Sequence, residues 1–121
     1  MVSRKIEDDV ITYYDGAKAF AMISETETDE GILMTMMGAL RSDIANDLLD
    51  ELIAFTTVGA NVFIDFEKVE YLSSTMQHVF LRVQQKMDAM GKGTLTLRKL
   101  PPNIYHEFEK TGASELLMIE I

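Results

Sequence analysis

The sequence predicts a single small α/β domain with a mixed, mostly parallel β-sheet covered by α-helices, in the order ββαβαβαβ. Three observations carry this. Val62-Phe63-Ile64 is an unbroken apolar run of strand length, the pattern of a strand covered on both faces. A helical stripe follows at once, Met76, Val79, Phe80, Val83, Met87 and Met90, at the spacing of one helix face. Strand and helix patterns then keep alternating to the end of the chain. Helical crossovers of this kind lay successive strands parallel, with right-handed connections.

The elements read as follows. Val10 to Tyr14 has strand composition, and Asp15-Gly16 after it is a turn signal. Ala17 to Ser24 and Gly31 to Met37 form an antiparallel pair, and the acidic stretch Glu25 to Glu30 reads as the loop between them. After Gly38-Ala39-Leu40 a helix starts, with Ser42 as its N-cap and Asp43 in the first turn. Its inward face is Ile44, Leu48, Leu52 and Phe55, and Gly59 lies in the turn beyond. Asn61 to Phe66 is the buried strand, and Glu67 to Leu72 reads as a connector to the helix running from about Ser74 to Met90. Gly91 and Gly93 stop that helix. Thr94-Leu95-Thr96-Leu97 alternates with period two, as a strand with one wetter face does. Pro101-Pro102-Asn103 opens a short helix with Ile104 and Phe108 inward, and Thr111-Gly112 closes it. Leu116 to Ile121 is a last strand or its approach. The domain thus spans residues 1–121, with a core from 17 to 121. Residues 1–16 are an extension to which the pattern assigns no place.

Composition narrows the function classes. The chain has 121 residues, enough for one core. It has no cysteine, hence no disulfide framework, thiolate metal site or Cys nucleophile, as suits a cytoplasmic protein. Acidic residues outnumber basic ones 20 to 11, a formal net charge of −9. Nucleic acid and anionic membranes need clustered Lys and Arg, so the expected partners are other proteins. The longest apolar run, Gly31 to Leu40, is too short to span a bilayer. The start, Met1 to Asp9, lacks the apolar core of a signal peptide.

Ser73-Ser74-Thr75 stands where the buried strand gives way to the second helix. The plain role for hydroxyls there is capping free backbone N–H groups. The same helix end also stabilises a phosphate placed on one of them.

Several of these segments together resemble the STAS domain family, the anti-sigma-factor antagonist fold, over about Ala17 to Ile121. Gly38-Ala39-Leu40 sits where that family has Gly-x-Leu-Asp. Phe63-Ile64-Asp65-Phe66 with Val69-Glu70-Tyr71-Leu72 matches its buried strand and apolar lead-in. Ser73-Ser74-Thr75-Met76 matches its Asp-Ser-Ser-Gly or Asp-Ser-Thr-Gly, and Tyr105 to Gly112 its last helix with a Thr-Gly ending. The resemblance implies a non-catalytic regulatory module that binds a protein partner, an anti-sigma factor with serine-kinase activity or a related regulator. It makes Ser74 the phosphoacceptor candidate, with Ser73 and Thr75 as alternates. It places the interface at Arg41, Ser42, Ser73, Thr75, Met76, Gln77 and His78. The chain departs from the pattern in three places: Ser73 replaces the family's Asp, Met76 its Gly, and Arg41 stands where antagonists often carry Asp. Ser73 and Met76 favour an alternative, a constitutive scaffold subunit of a sensor or transporter complex that is never phosphorylated. A homodimer is compatible with either.

Enzyme readings are weaker. Ser74 and His78 are four apart and share a helix face, as a nucleophile and base would in a small transferase. Nothing in the sequence supplies an orienting acid, an oxyanion donor or a strained nucleophile turn. His78 and His106 have no metal-ligand spacing, so neither a metal nor a cofactor is expected. Gly91-Lys92-Gly93-Thr94 looks like a phosphate loop but ends a helix instead of opening one. The acidic stretch lacks calcium-loop spacing. The nine methionines read as core filler, with Met76 expected at an exposed helix start.

Overall fold

The computed structural model describes residues 1–120; the last residue of the predicted final strand, Ile121, lies outside them. Seven strands form one sheet in chain order: β1 (Val2–Glu7), β2 (Val10–Asp15), β3 (Lys18–Thr28), β4 (Gly31–Leu40), β5 (Asn61–Leu72), β6 (Thr94–Arg98) and β7 (Met118–Glu120). Pairings from β1 to β4 are antiparallel and those from β4 to β7 parallel. The crossovers carry three helices, α1 (Ala45–Thr57), α2 (Ser74–Met90) and α3 (Pro102–Thr111). The α/β class with a mixed sheet is as the sequence predicts. The even split between pairings differs from the expected parallel majority. The difference lies in residues 1–16, which form a hairpin, β1–β2, that extends the sheet.

Neighbouring strands follow one another in the sheet, and right-handed crossovers then place all three helices on one face. Burial agrees. Met34, Met36, Val62, Ile64, Leu95 and Leu97 are buried on that face. Leu33 and Phe63, which are directly paired on the other face, are half-buried. The expectation that Val62-Phe63-Ile64 is covered on both sides is therefore corrected: Phe63 is half-buried, with the Arg98 guanidinium 4.1 Å from its ring centroid. Phe66, Phe80 and Phe108 bring β5, α2 and α3 together, with ring centroids 5.5 to 6.3 Å apart.

Three further boundaries move. Glu25 to Thr28 and Gly31 to Met34 are paired strand, so the predicted loop shrinks to Asp29-Glu30. Cross-strand hydrogen bonds satisfy the backbone there whatever the side chains are. β5 runs on through the predicted connector to Leu72. Ser42 is not an N-cap: it begins a short 3₁₀ turn, Ser42–Ile44, and makes no capping hydrogen bond. On α1, Phe55 is half-buried, and Thr56 is the fully buried residue beside it.

The acidic end of the β3–β4 hairpin has a measurable consequence. Burial first, then the carboxylates of Glu51 and Asp9, push the Glu25 carboxyl above its ordinary range. A carboxyl whose folded pKa is raised holds its proton more tightly in the folded state. Stability therefore falls as pH rises from the unfolded value, about 4.3, through the raised one. Glu25→Gln is expected to raise the urea midpoint at about pH 7 and to lose that advantage at about pH 3.5, below both values.

Candidate functional site

The end of β4 and the start of α2 meet through one hydrogen bond, from Ser73 N–H to the Leu40 carbonyl at 3.1 Å. This brings the predicted 40–42 and 73–78 segments to one edge of the molecule. Ser73 is extended (φ −73°, ψ 157°) and caps α2, its Oγ accepting the Met76 N–H at 3.1 Å. The first intrahelical bond runs from Gln77 N–H to the Ser73 carbonyl, at 3.3 Å. The amides of Ser74 and Thr75 thus lie in the open first turn, where the helix presents its positive end.

The trio divides its work. Ser73 is buried, 6% exposed, and committed to the cap. Ser74 and Thr75 are exposed, and no side-chain hydrogen bond holds either hydroxyl among the described residues. His78 is exposed one turn on and lines the same small depression as Ser74. Leu81 of α2 and Leu116, the latter 67% exposed, form the depression's apolar part. The sequence did not mark Leu116 for the site, because it reads there as the start of the last strand or its approach.

Two predicted interface residues turn inward. Met76 is fully buried and Gln77 is 3% exposed. Once Ser73 fixes the cap, position 76 falls on the inner stripe with Val79, Phe80 and Val83. Gln77 Oε1 accepts the Thr111 hydroxyl at 2.8 Å, which ties α2 to the end of α3.

Arg41 is built into a small cluster. It donates through Nη1 to Asp15 Oδ2 at 3.1 Å and through Nε to Asp43 Oδ1 at 3.2 Å, and a second contact joins Nη2 to Asp43. Its guanidinium lies 4.2 Å from the Phe20 ring centroid. The Asp15 carboxyl is held below the ordinary range, chiefly by the hydrogen bond from Arg41. Ser42 and Asp43 beside it are exposed. Arg41 therefore anchors the loop after β4 to the end of β2, with a third of its side chain, 33%, left exposed.

Chemically the site offers exposed hydroxyls at a helix N-terminus. Ser74 and His78 are not hydrogen-bonded to each other among the described residues, and no carboxylate lines their depression. Among the described residues no three His, Asp or Glu side chains converge as a metal site, and no helix is long and apolar enough to cross a membrane.

The family model described as STAS domain matches residues 24–121. No curated protein matches the sequence. Solved structures do. The anti-sigma factor antagonist SpoIIAA in its unphosphorylated form superposes with a TM-score of 0.68 at 14% identity, over 82% of this chain and 88% of that one. The phosphorylated form of SpoIIAA, a Bacillus cell fate determinant, gives 0.63 at 16% identity, over 82% and 91%. An anti-sigma factor antagonist from Mycobacterium paratuberculosis gives 0.68 at 16%, over 82% and 84%. These likenesses establish the fold, and the family match covers most of the chain from β3 onward; the chain belongs to the STAS domain family.

Proposed function

We propose that this protein is a non-catalytic regulatory module that docks a protein partner, an anti-sigma factor or related regulator, at the junction of β4 and α2, and that phosphorylation of Ser74 switches the docking off. One observation carries the reading: Ser74 is an exposed hydroxyl on the first residue of α2 that the cap does not use, because Ser73 supplies the cap. Adding phosphate there leaves the fold's own hydrogen bonds intact. The docking face combines Ser42, Ser74, Thr75 and His78 with the exposed Leu116.

A phosphate brings about −1.5 to −2 charges at neutral pH. At Ser74 it meets the positive end of α2, so the free protein tolerates it. A partner seated over that end must desolvate the phosphate and meets its charge. Ser74→Asp is expected to weaken partner binding by about 30-fold or more, the equivalent of about 2 kcal/mol, with the melting temperature unchanged. Ser74→Ala should bind normally and take up no phosphate from the cognate serine kinase, as read by intact mass. Equal binding by the Asp variant and the wild type, together with no modification at Ser73, Ser74 or Thr75, would sink the switch.

That negative outcome supports the second reading, a constitutive scaffold. Ser73 favours it: this neutral, buried residue stands where the family carries an acid beside the acceptor.

A further inference from the structure

The sheet ends on one side in β1, a regular six-residue strand with nothing paired to its outer edge among the described residues. Its phase can be read from both ends. The two-residue turn Asp8-Asp9, with φ of +51° and +64°, closes on the pair Glu7 and Val10. Such a turn makes that pair the hydrogen-bonded one. At the far end Gly16 N–H donates to the Met1 carbonyl at 3.1 Å. Met1, Ser3, Lys5 and Glu7 therefore direct their backbone groups at β2. Val2, Arg4 and Ile6 direct theirs at the open edge. Ile6 is also one of the large apolar side chains left exposed, at 59%.

The charges on this strand are ordered. Arg4-Lys5-Ile6-Glu7-Asp8 inverts in sign when read backwards. We propose that β1 pairs antiparallel with β1 of a second copy about a two-fold axis through Ile6, joining the two sheets into one. In this register Lys5 lies opposite Glu7 of the second copy and Ile6 opposite its Ile6, the overlap covering the last three residues of β1. Lys5 and Glu7 already touch within one chain, Nζ to Oε2 at 3.2 Å, and both are well exposed. Pairing closes them into a ring of four alternating charges.

Geometry and charge disfavour the registers that would overlap β1 most. Directly opposed residues in an antiparallel pair must both point their backbone groups across the gap or both away from it. That removes every register that opposes an even-numbered residue to an odd-numbered one. A two-fold through Lys5 sets two lysines face to face, and one through Arg4 sets two arginines face to face; like charges directly opposite destabilise a pair. Charged side chains on an edge strand ordinarily discourage pairing. Here their order discourages the two alignments of longest overlap and favours the one through Ile6, and the resulting dimer is isologous, with a closed two-fold.

The proposal is independent of the Ser74 switch, and sedimentation equilibrium of the full chain tests it. The wild type should be a dimer that weakens with added salt. Lys5→Glu and Glu7→Lys should each raise the dissociation constant by about tenfold or more, because each places two like-charge pairs across the axis. The combined variant Lys5→Glu with Glu7→Lys rebuilds the ring and should return to within about threefold of wild type. Ile6→Pro removes an outward N–H that the monomer does not use and should give a folded monomer, with folding checked by circular dichroism. A wild type that stays monomeric up to about 1 mM would overturn the proposal. So would a double variant as dissociated as the single ones, or a dimer indifferent to Ile6→Pro.

Discussion

Phe80→Ala is expected to lower the unfolding free energy by about 3–5 kcal/mol, the range for deleting a fully buried aromatic ring. Phe80 is 0% exposed and lies 5.5 Å from the Phe66 ring and 6.3 Å from Phe108, centroid to centroid. Phe66 meets both partners edge-on, an arrangement that adds to simple area burial. Removing this ring leaves a hole among β5, α2 and α3, which are held by other contacts and cannot all collapse into it. A marginally stable domain has about 5–15 kcal/mol in hand, so the variant should sit near its folding threshold at physiological temperature. Urea unfolding should show the midpoint falling with the slope unchanged. Phe80→Leu, which keeps most of the volume, should lose markedly less. A loss below about 1 kcal/mol for Phe80→Ala would mean that the three rings do not form one packed unit.

Much of this core was legible because helices announce themselves by period. Val79, Phe80, Val83 and Met87 form a stripe in the sequence and are buried in the structure. Met90, the last residue of that predicted stripe, is 37% exposed, because the helix ends there. β5 was only half legible, for a specific reason. Phe66, Val69 and Leu72 all face the helices yet are three residues apart. The ladder to β4 skips twice, once between Thr35 and Met37 and once between Gly38 and Ala39, and at each skip β5 carries an extra residue. Each bulge turns a period of two into a period of three, which reads as the end of a strand. β1 was hidden differently. An edge strand with little to bury carries charged residues on both faces, so it shows no alternation to read.

The site was legible in position and not in orientation. The hydroxyl trio marks the start of α2, and the structure brings the loop after β4 against it. Which of three hydroxyls caps depends on where the extended backbone ends, and that is fixed by Leu72 being buried at the close of β5. With Ser73 as cap, Met76 and Gln77 turn inward, although the likeness to the family motif places both at the surface. Met76 therefore fills the core beneath the helix start. Replacement of the family's Gly by Met changes packing under the site and leaves the exposed first turn to Ser74 and Thr75.

The second large effect is expected at Gly38, where the same bulged segment feeds the site. Gly38 has φ +86°, and a Cβ there would lie 2.3 Å from the Phe20 carbonyl oxygen and 3.3 Å from the Ala21 Cα. These are backbone atoms of β3, so relief requires the strands to part. Gly38→Ala should cost at least about 3 kcal/mol, combining left-handed strain of about 1–2 kcal/mol with the clash. Gly91→Ala isolates the first part. Gly91 ends α2 at φ +68°, and a Cβ there would meet nothing within 4 Å, so this variant should lose only about 1 kcal/mol. The difference between the two measures how tightly β3 holds β4 just upstream of Leu40, whose carbonyl accepts the Ser73 N–H. If that hold positions the docking face, Gly38→Ala should weaken partner binding even under conditions where the variant is fully folded, whereas Gly91→Ala should not. Equal stability losses for the two would show that the β3–β4 approach yields easily. Equal partner binding would show that the start of α2 keeps its place without it.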